Sequence, residues 1–154
     1  MTAGSMHAPL KRLGGPVLSS NATLRVQGAN LKPQEFTALV GVEPSHAHAR
    51  GDMVSPRVKR VRKEGLWMLD SQALPAAHPE EHITGLLGRL PQQELWLRAT
   101  QGARVDLIVS LTVASDHEAF SVSAPTLGRL GELGIELGFE IWPVSNESEP
   151  ESAT

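Results

Sequence analysis

His78-Pro79-Glu80-Glu81-His82 has the His-x-x-Glu-His spacing of an inverted zinc-peptidase motif. Histidines four apart on a helix share a face, so two imidazoles could hold one metal ion while Glu81 acts as base to a bound water. Pro79 points elsewhere. Proline suits the first position of a helix, which puts His78 at or before the cap, off the face that carries His82. Glu80 and Glu81 then sit at the positive end of the helix dipole, a structural place for both carboxylates. The segment reads as a helix start, and no metal or other cofactor is expected. His46 and His48 stand two apart, which on a strand puts both on one face. Arg50 joins that face, as would Asp52 if the strand continued. Two imidazoles and a carboxylate form a metal-ligand set, but a solvated strand face beside a bend accounts for the same residues. Either cluster, if metallated, would make a metal-dependent hydrolase. Ser115-Asp116-His117 contains the letters of a catalytic triad. Consecutive residues do not form the nucleophile–base–orienter line, so a turn is expected there.

The densest charge is Arg57, Lys59, Arg60, Arg62 and Lys63, five of the fourteen basic residues within seven positions. Such a row could meet phosphates along a nucleic-acid backbone. No aromatic residue interleaves it, so it offers no stacking platform for bases. A basic edge that blocks sheet-to-sheet association explains the same residues. The whole chain carries a net charge of −3, and without the acidic Glu147, Glu149 and Glu151 of its last ten residues it is neutral. Neutrality disfavours a general nucleic-acid binder. With His46, His48 and Arg50, the basic run forms the candidate interaction surface, and a protein partner is expected ahead of nucleic acid.

Other chemistries are excluded more simply. There is no cysteine, hence no disulfide, zinc–thiolate site, iron–sulfur cluster or cysteine nucleophile. No Gly-x-Gly-x-x-Gly or Walker sequence occurs. No apolar run approaches the ~20 residues that span a membrane. Lys11 and Arg12 interrupt the one N-terminal stretch that could resemble a secretory core, so a cytoplasmic location is expected.

The elements that must hold these residues follow from periodicity. The 154 residues, 40% apolar, suit one domain over 22–143, between a flexible arm (1–21) and an acidic disordered tail (144–154). Leu24 and Val26 alternate with polar neighbours over 22–27, a half-buried strand. Pro33 opens a short helix whose Phe36, Leu39 and Val40 face inward. Gly41 and Pro44 stop it. An extended segment over 45–50 and a bend at Gly51-Asp52 lead into the basic run, expected as a long exposed hairpin connection or edge strands. Trp67 and Leu69 mark the inner face of the next strand. Ile83, Leu86, Leu87 and Leu90 give an amphipathic helix from Pro79. A second helical piece after Pro91 has Leu95 and Ala99 inward, with Trp96 or Arg98 partly exposed. Leu107, Val109 and Leu111 lie on the dry face of the longest strand, whose other face is polar. Phe120 begins a short strand over 120–123. Leu127, Leu130 and Leu133 then line a helix stopped by Gly134, and Ile135, Leu137, Phe139 and Ile141 alternate in a last strand. One dry and one wet sheet face indicate an α+β domain with an antiparallel or mixed sheet, helices on one face, and a ferredoxin-like split βαβ core as the specific form.

The pieces Pro33-x-x-Phe36-Thr37-x-Leu39-x-Gly41-Val42-x-Pro44, Gly51-Asp52, Gly65-Leu66-Trp67, Glu80-Glu81-His82-Ile83 and Leu127-x-x-Leu130-x-x-Leu133-Gly134-Ile135 occur in one order. Together they resemble a bacterial family of domains of unknown function, DUF4279, over nearly the whole body. The resemblance implies a small α+β domain and brings no activity, cofactor or catalytic residue. The run from Arg57 to Lys63 is not part of the family pattern. A non-enzymatic protein-interaction module, of immunity or inhibitor type, is the expected function.

Overall fold

The computed structural model describes residues 17, 19–114 and 119–144. Most of the arm, the acidic tail beyond residue 144 and Ser115-Asp116-His117 lie outside the described residues. The elements are β1 (Ser19–Gly28), α1 (Pro33–Val40), β2 (His46–His48), β3 (Met53–Ser55), β4 (Val58–Val61), β5 (Gly65–Asp70), α2 (Pro79–Leu87), α3 (Gln93–Ala99), β6 (Arg104–Val113), α4 (Ala124–Glu132) and β7 (Glu136–Pro143). β1 starts three residues before the alternation of Leu24 and Val26 made it visible.

Alternation sets the sheet. The strands run in the order β2-β5-β1-β6-β7, with antiparallel pairs throughout except for the parallel β6–β7 pair. Leu24 lies opposite Leu69 on one side and Leu107 on the other, and Val26 lies opposite Trp67. The register therefore gathers every inward residue on one face, where the helices cover them. The core is closed by aromatic edges: Phe36 meets Trp67 at 4.9 Å and Trp96 at 5.8 Å between ring centroids. β6, α4 and β7 form a parallel unit in which the two strands are direct neighbours. A split βαβ unit is made by β5, α2, α3 and β6, whose two strands both run antiparallel to β1 lying between them. The domain is thus α+β with a mixed sheet, and β3 and β4 form a separate two-stranded sheet.

Helix boundaries follow the expected punctuation. Gly41 takes a φ of 72° and its N–H reaches the Thr37 carbonyl at 2.9 Å, the left-handed stop that glycine allows. Which residues face inward differs from expectation at several places. Pro33, Phe36 and Val40 form the buried arc of α1, and Leu39 is 55% exposed. At about 100° per residue Leu39 sits roughly a quarter turn from the centre of that arc. The same offset leaves Leu127 exposed on α4, where Thr126 and Leu130 face inward. In α3 Trp96 is fully buried, not partly exposed, and its Nε1 donates to the Leu133 carbonyl at 3.1 Å. Phe139 and Ile141 have the inward parity of β7 but remain 42% and 60% exposed. They lie on an edge strand, where Phe139 meets the Phe120 ring at 5.4 Å between centroids. Residues 120–123 form no strand, and Phe120 and Val122 pack on the core from there.

Candidate functional site

The sheet edge formed by β2 carries the candidate surface. His46 lies opposite Met68 and His48 opposite Leu66, so both histidines stand on the helix-free face. Their rings are 6.1 Å apart between centroids. After β2 the chain turns sharply: the Asp52 carboxylate accepts the Ala49 N–H at 2.8 Å, and the Asp52 N–H donates to the Ala49 carbonyl at 3.2 Å. That turn launches the β3–β4 hairpin. Pro56 and Arg57 form the hairpin tip, where proline presets the turn. The register shifts by one residue between Met53 and Ser55, a bulge that separates the tip from the stem.

The stem is tied where it returns. The Gly51 N–H donates to the Arg62 carbonyl at 2.8 Å, and the Arg62 N–H to the Asp52 carbonyl at 2.7 Å. Just beyond, Glu64 receives both guanidinium nitrogens of Arg104 at 2.6 and 3.2 Å. The structure thus brings His46, His48 and Arg62 together and sends the other bases outward. Burial, the charge of Arg62 and neighbouring His46 all push the His48 pKa down, against a weaker pull from Asp52 and a backbone hydrogen bond with Glu64. Arg57, Lys59, Arg60 and Lys63 are exposed, and none of them forms an ion pair among the described residues. Met53, Val58 and Val61 are exposed between them.

The zinc-peptidase spacing is used differently. His78 is the N-cap of α2 and its Nδ1 accepts the Glu80 N–H at 3.2 Å. His82 is buried, with its Nδ1 2.7 Å from Ser71 Oγ. Glu80 Oε1 accepts the Ser123 N–H at 2.8 Å, at the start of α4. Hydrogen bonding to Ser123, and to Thr126, keeps its carboxyl below the usual range. His78, Glu80 and His82 are thus each committed to a different partner, and no group of three or more His, Asp or Glu able to hold a metal occurs among the described residues.

The Ser71–His82 pair escaped the sequence reading, since nothing in the spacing marks residues on different elements as partners. A serine beside an imidazole has the parts of a nucleophile and base. Here Ser71 Oγ also accepts the Ala22 N–H at 3.0 Å, so the pair fastens the end of β5 to β1 and α2. His82 Nε2 is buried with no hydrogen-bond partner among the described residues. Burial holds the His82 pKa down, opposed in part by Glu81 and by a backbone contact with Leu74.

On the helix-free face the polar rows are paired. Arg25 grips Asp106 in a bidentate ion pair at 2.7 and 2.8 Å, which raises the guanidinium pKa. Thr23 donates to Asp70 at 2.8 Å and Ser110 to Glu140 at 3.1 Å. No helix among the described residues is long and apolar enough to cross a membrane. No curated protein and no solved structure matches the chain. The model of the family called Domain of unknown function (DUF4279) matches residues 19–144, and the chain belongs to that family.

Proposed function

We propose that this chain is a non-enzymatic protein-binding module, of the inhibitor or immunity type, whose β3–β4 hairpin docks on an acidic protein surface. One observation carries the reading. The hairpin stands outside the main sheet and exposes Arg57, Lys59 and Arg60, with Lys63 just beyond β4, none of them in an ion pair among the described residues, together with Met53, Val58 and Val61. A hairpin that served only to keep the edge soluble needs the charges but not three exposed apolar side chains between them. Cations steer an acidic partner and mark the rim, and the apolar side chains supply the desolvated centre of the contact. His46, His48 and Arg50 extend the same surface along β2.

Affinity enrichment from the native cells with the full chain, followed by titration of the purified partner, tests this. The reading requires an acidic protein whose affinity weakens with salt. It also requires at least a tenfold loss when Met53, Val58 and Val61 become serine, and a similar loss when Arg57, Lys59 and Arg60 do. A partner indifferent to both sets of changes would overturn it.

A further inference from the structure

The two edges of the main sheet are built differently. β2 is three residues long and is flanked by the basic hairpin, two devices that discourage further strand pairing. β7 at the other edge is eight residues long, carries no basic residue and has its single proline at its end. No strand among the described residues pairs with its outer side. Phe139, Ile141 and Trp142 stand exposed along it, Trp142 at 60%. We propose that β7 pairs antiparallel with β7 of a second copy about a twofold axis through Phe139, making one continuous ten-stranded sheet.

The backbone fixes which groups are free. The Val144 N–H donates to the Val113 carbonyl at 2.9 Å, so even-numbered residues of β7 turn their N–H and C=O toward β6. Odd-numbered residues turn theirs outward. In an antiparallel pair the outward groups meet as hydrogen-bonded pairs. Centred on Phe139, these are Phe139 with its symmetry mate and Leu137 with Ile141 of the second copy. Pro143, which has no N–H to give, falls just beyond the ladder.

Side chains choose the same register. Directly opposed residues share a face, so centring on Phe139 sets apolar residues against apolar ones on the helix-covered side. On the other face Glu140 meets Gly138 of the second copy, and Glu136 meets Trp142. Centring on Glu140 would oppose two carboxylates and set Pro143 against Leu137, losing a hydrogen bond. Of the self-pairing registers, the one centred on Phe139 pairs the most of β7 without opposing two carboxylates, and that complementarity favours a second copy over an unrelated strand. The basic hairpins would lie at the two far ends of the joint sheet, free for partners.

Sedimentation of the full chain over a concentration series is expected to give twice 16.5 kDa, and of Ile141→Lys 16.5 kDa, with circular dichroism showing that the variant is folded. Because the chain has no cysteine, Phe139→Cys and Glu140→Cys report the register by oxidation. Their Cα atoms at a twofold hydrogen-bonded pair would lie about 5.5 Å apart, within disulfide reach. Crosslinking at 139 with little at 140 supports the pairing. A monomeric full chain, a dimer that survives Ile141→Lys, or preferential crosslinking at 140 would overturn it.

Discussion

His82 is where one side chain decides most. It is 1% exposed, one ring nitrogen faces Ser71 Oγ and the other is buried with no hydrogen-bond partner among the described residues, so the fold accepts the neutral ring and resists the charged one. Burial depresses its folded pKa below its unfolded value of about 6.5. The unfolded chain therefore takes up the proton first. The stabilisation is present above about pH 6.5 and is lost as pH falls through the folded pKa. Denaturant titrations between about pH 5 and 7.5 are expected to show stability falling with acid. Because the His48 pKa is also depressed, His82→Asn should reduce that slope without abolishing it, and an unchanged slope would remove His82 as one of its sources. Gly65 is the second residue of this kind. A Cβ there would overlap the Leu31 carbonyl oxygen, so Gly65→Ala should destabilise by about 1–3 kcal/mol. Gly85, in α2, has open space around an added Cβ, and Gly85→Ala should instead gain about 0.4–1 kcal/mol. Equal effects at the two positions would show that packing at Gly65 is not what the geometry indicates.

At the scale of elements, legibility followed length and partners. β1 and β6 were visible because each alternates and is flanked by neighbours on both sides, so parity and burial coincide, while β5 showed as a short apolar run from Leu66 to Leu69. β7 alternates just as cleanly, yet Phe139 and Ile141 are exposed. Parity assigns a face but says nothing about what covers it. α3 has only seven residues, too few for a period to fix its inward side. Its buried Trp96 is set by the Leu133 carbonyl, 37 positions away. The basic run showed its charges in the sequence, but not that Arg62 turns back to His48 while the others project. Burial therefore separates leucines that periodicity treats alike. Leu111 is 1% exposed between β1 and β7, and Leu111→Ala should cost about 2–5 kcal/mol. Leu39→Ala, on the outward flank of α1, should stay within about 0.5 kcal/mol. Reversible unfolding measures both, and a cost near zero at Leu111 would remove β6 from the core.

On the scale of the whole molecule the question is whether the charge distribution suits a polyanion. The chain is net negative at −3, and its one dense basic cluster runs from the tip of the β3–β4 hairpin through β4 to Arg62 and Lys63 just beyond it. Four of that cluster's five cations are exposed, while Arg62 is half-buried and acts on His48. Each phosphate neutralised on duplex DNA contributes about −0.9 to the logarithmic salt slope. If all four exposed cations met phosphates, the slope would approach about −3.6. A hairpin two strands wide has no second basic strip to widen that footprint, and the helix-free face beside it ties Arg25 and Arg104 to Asp106 and Glu64. The expected outcome is DNA and RNA binding no tighter than the weak non-specific range of about 10⁻⁴–10⁻⁶ M at physiological salt. An acidic protein differs from a polyanion because it can also cover Met53, Val58 and Val61, which phosphates cannot. Fluorescence anisotropy across a salt series separates the two. Nanomolar nucleic-acid binding with a steep slope, abolished when Arg57, Lys59, Arg60 and Lys63 become serine, would move the hairpin from protein docking to nucleic acid.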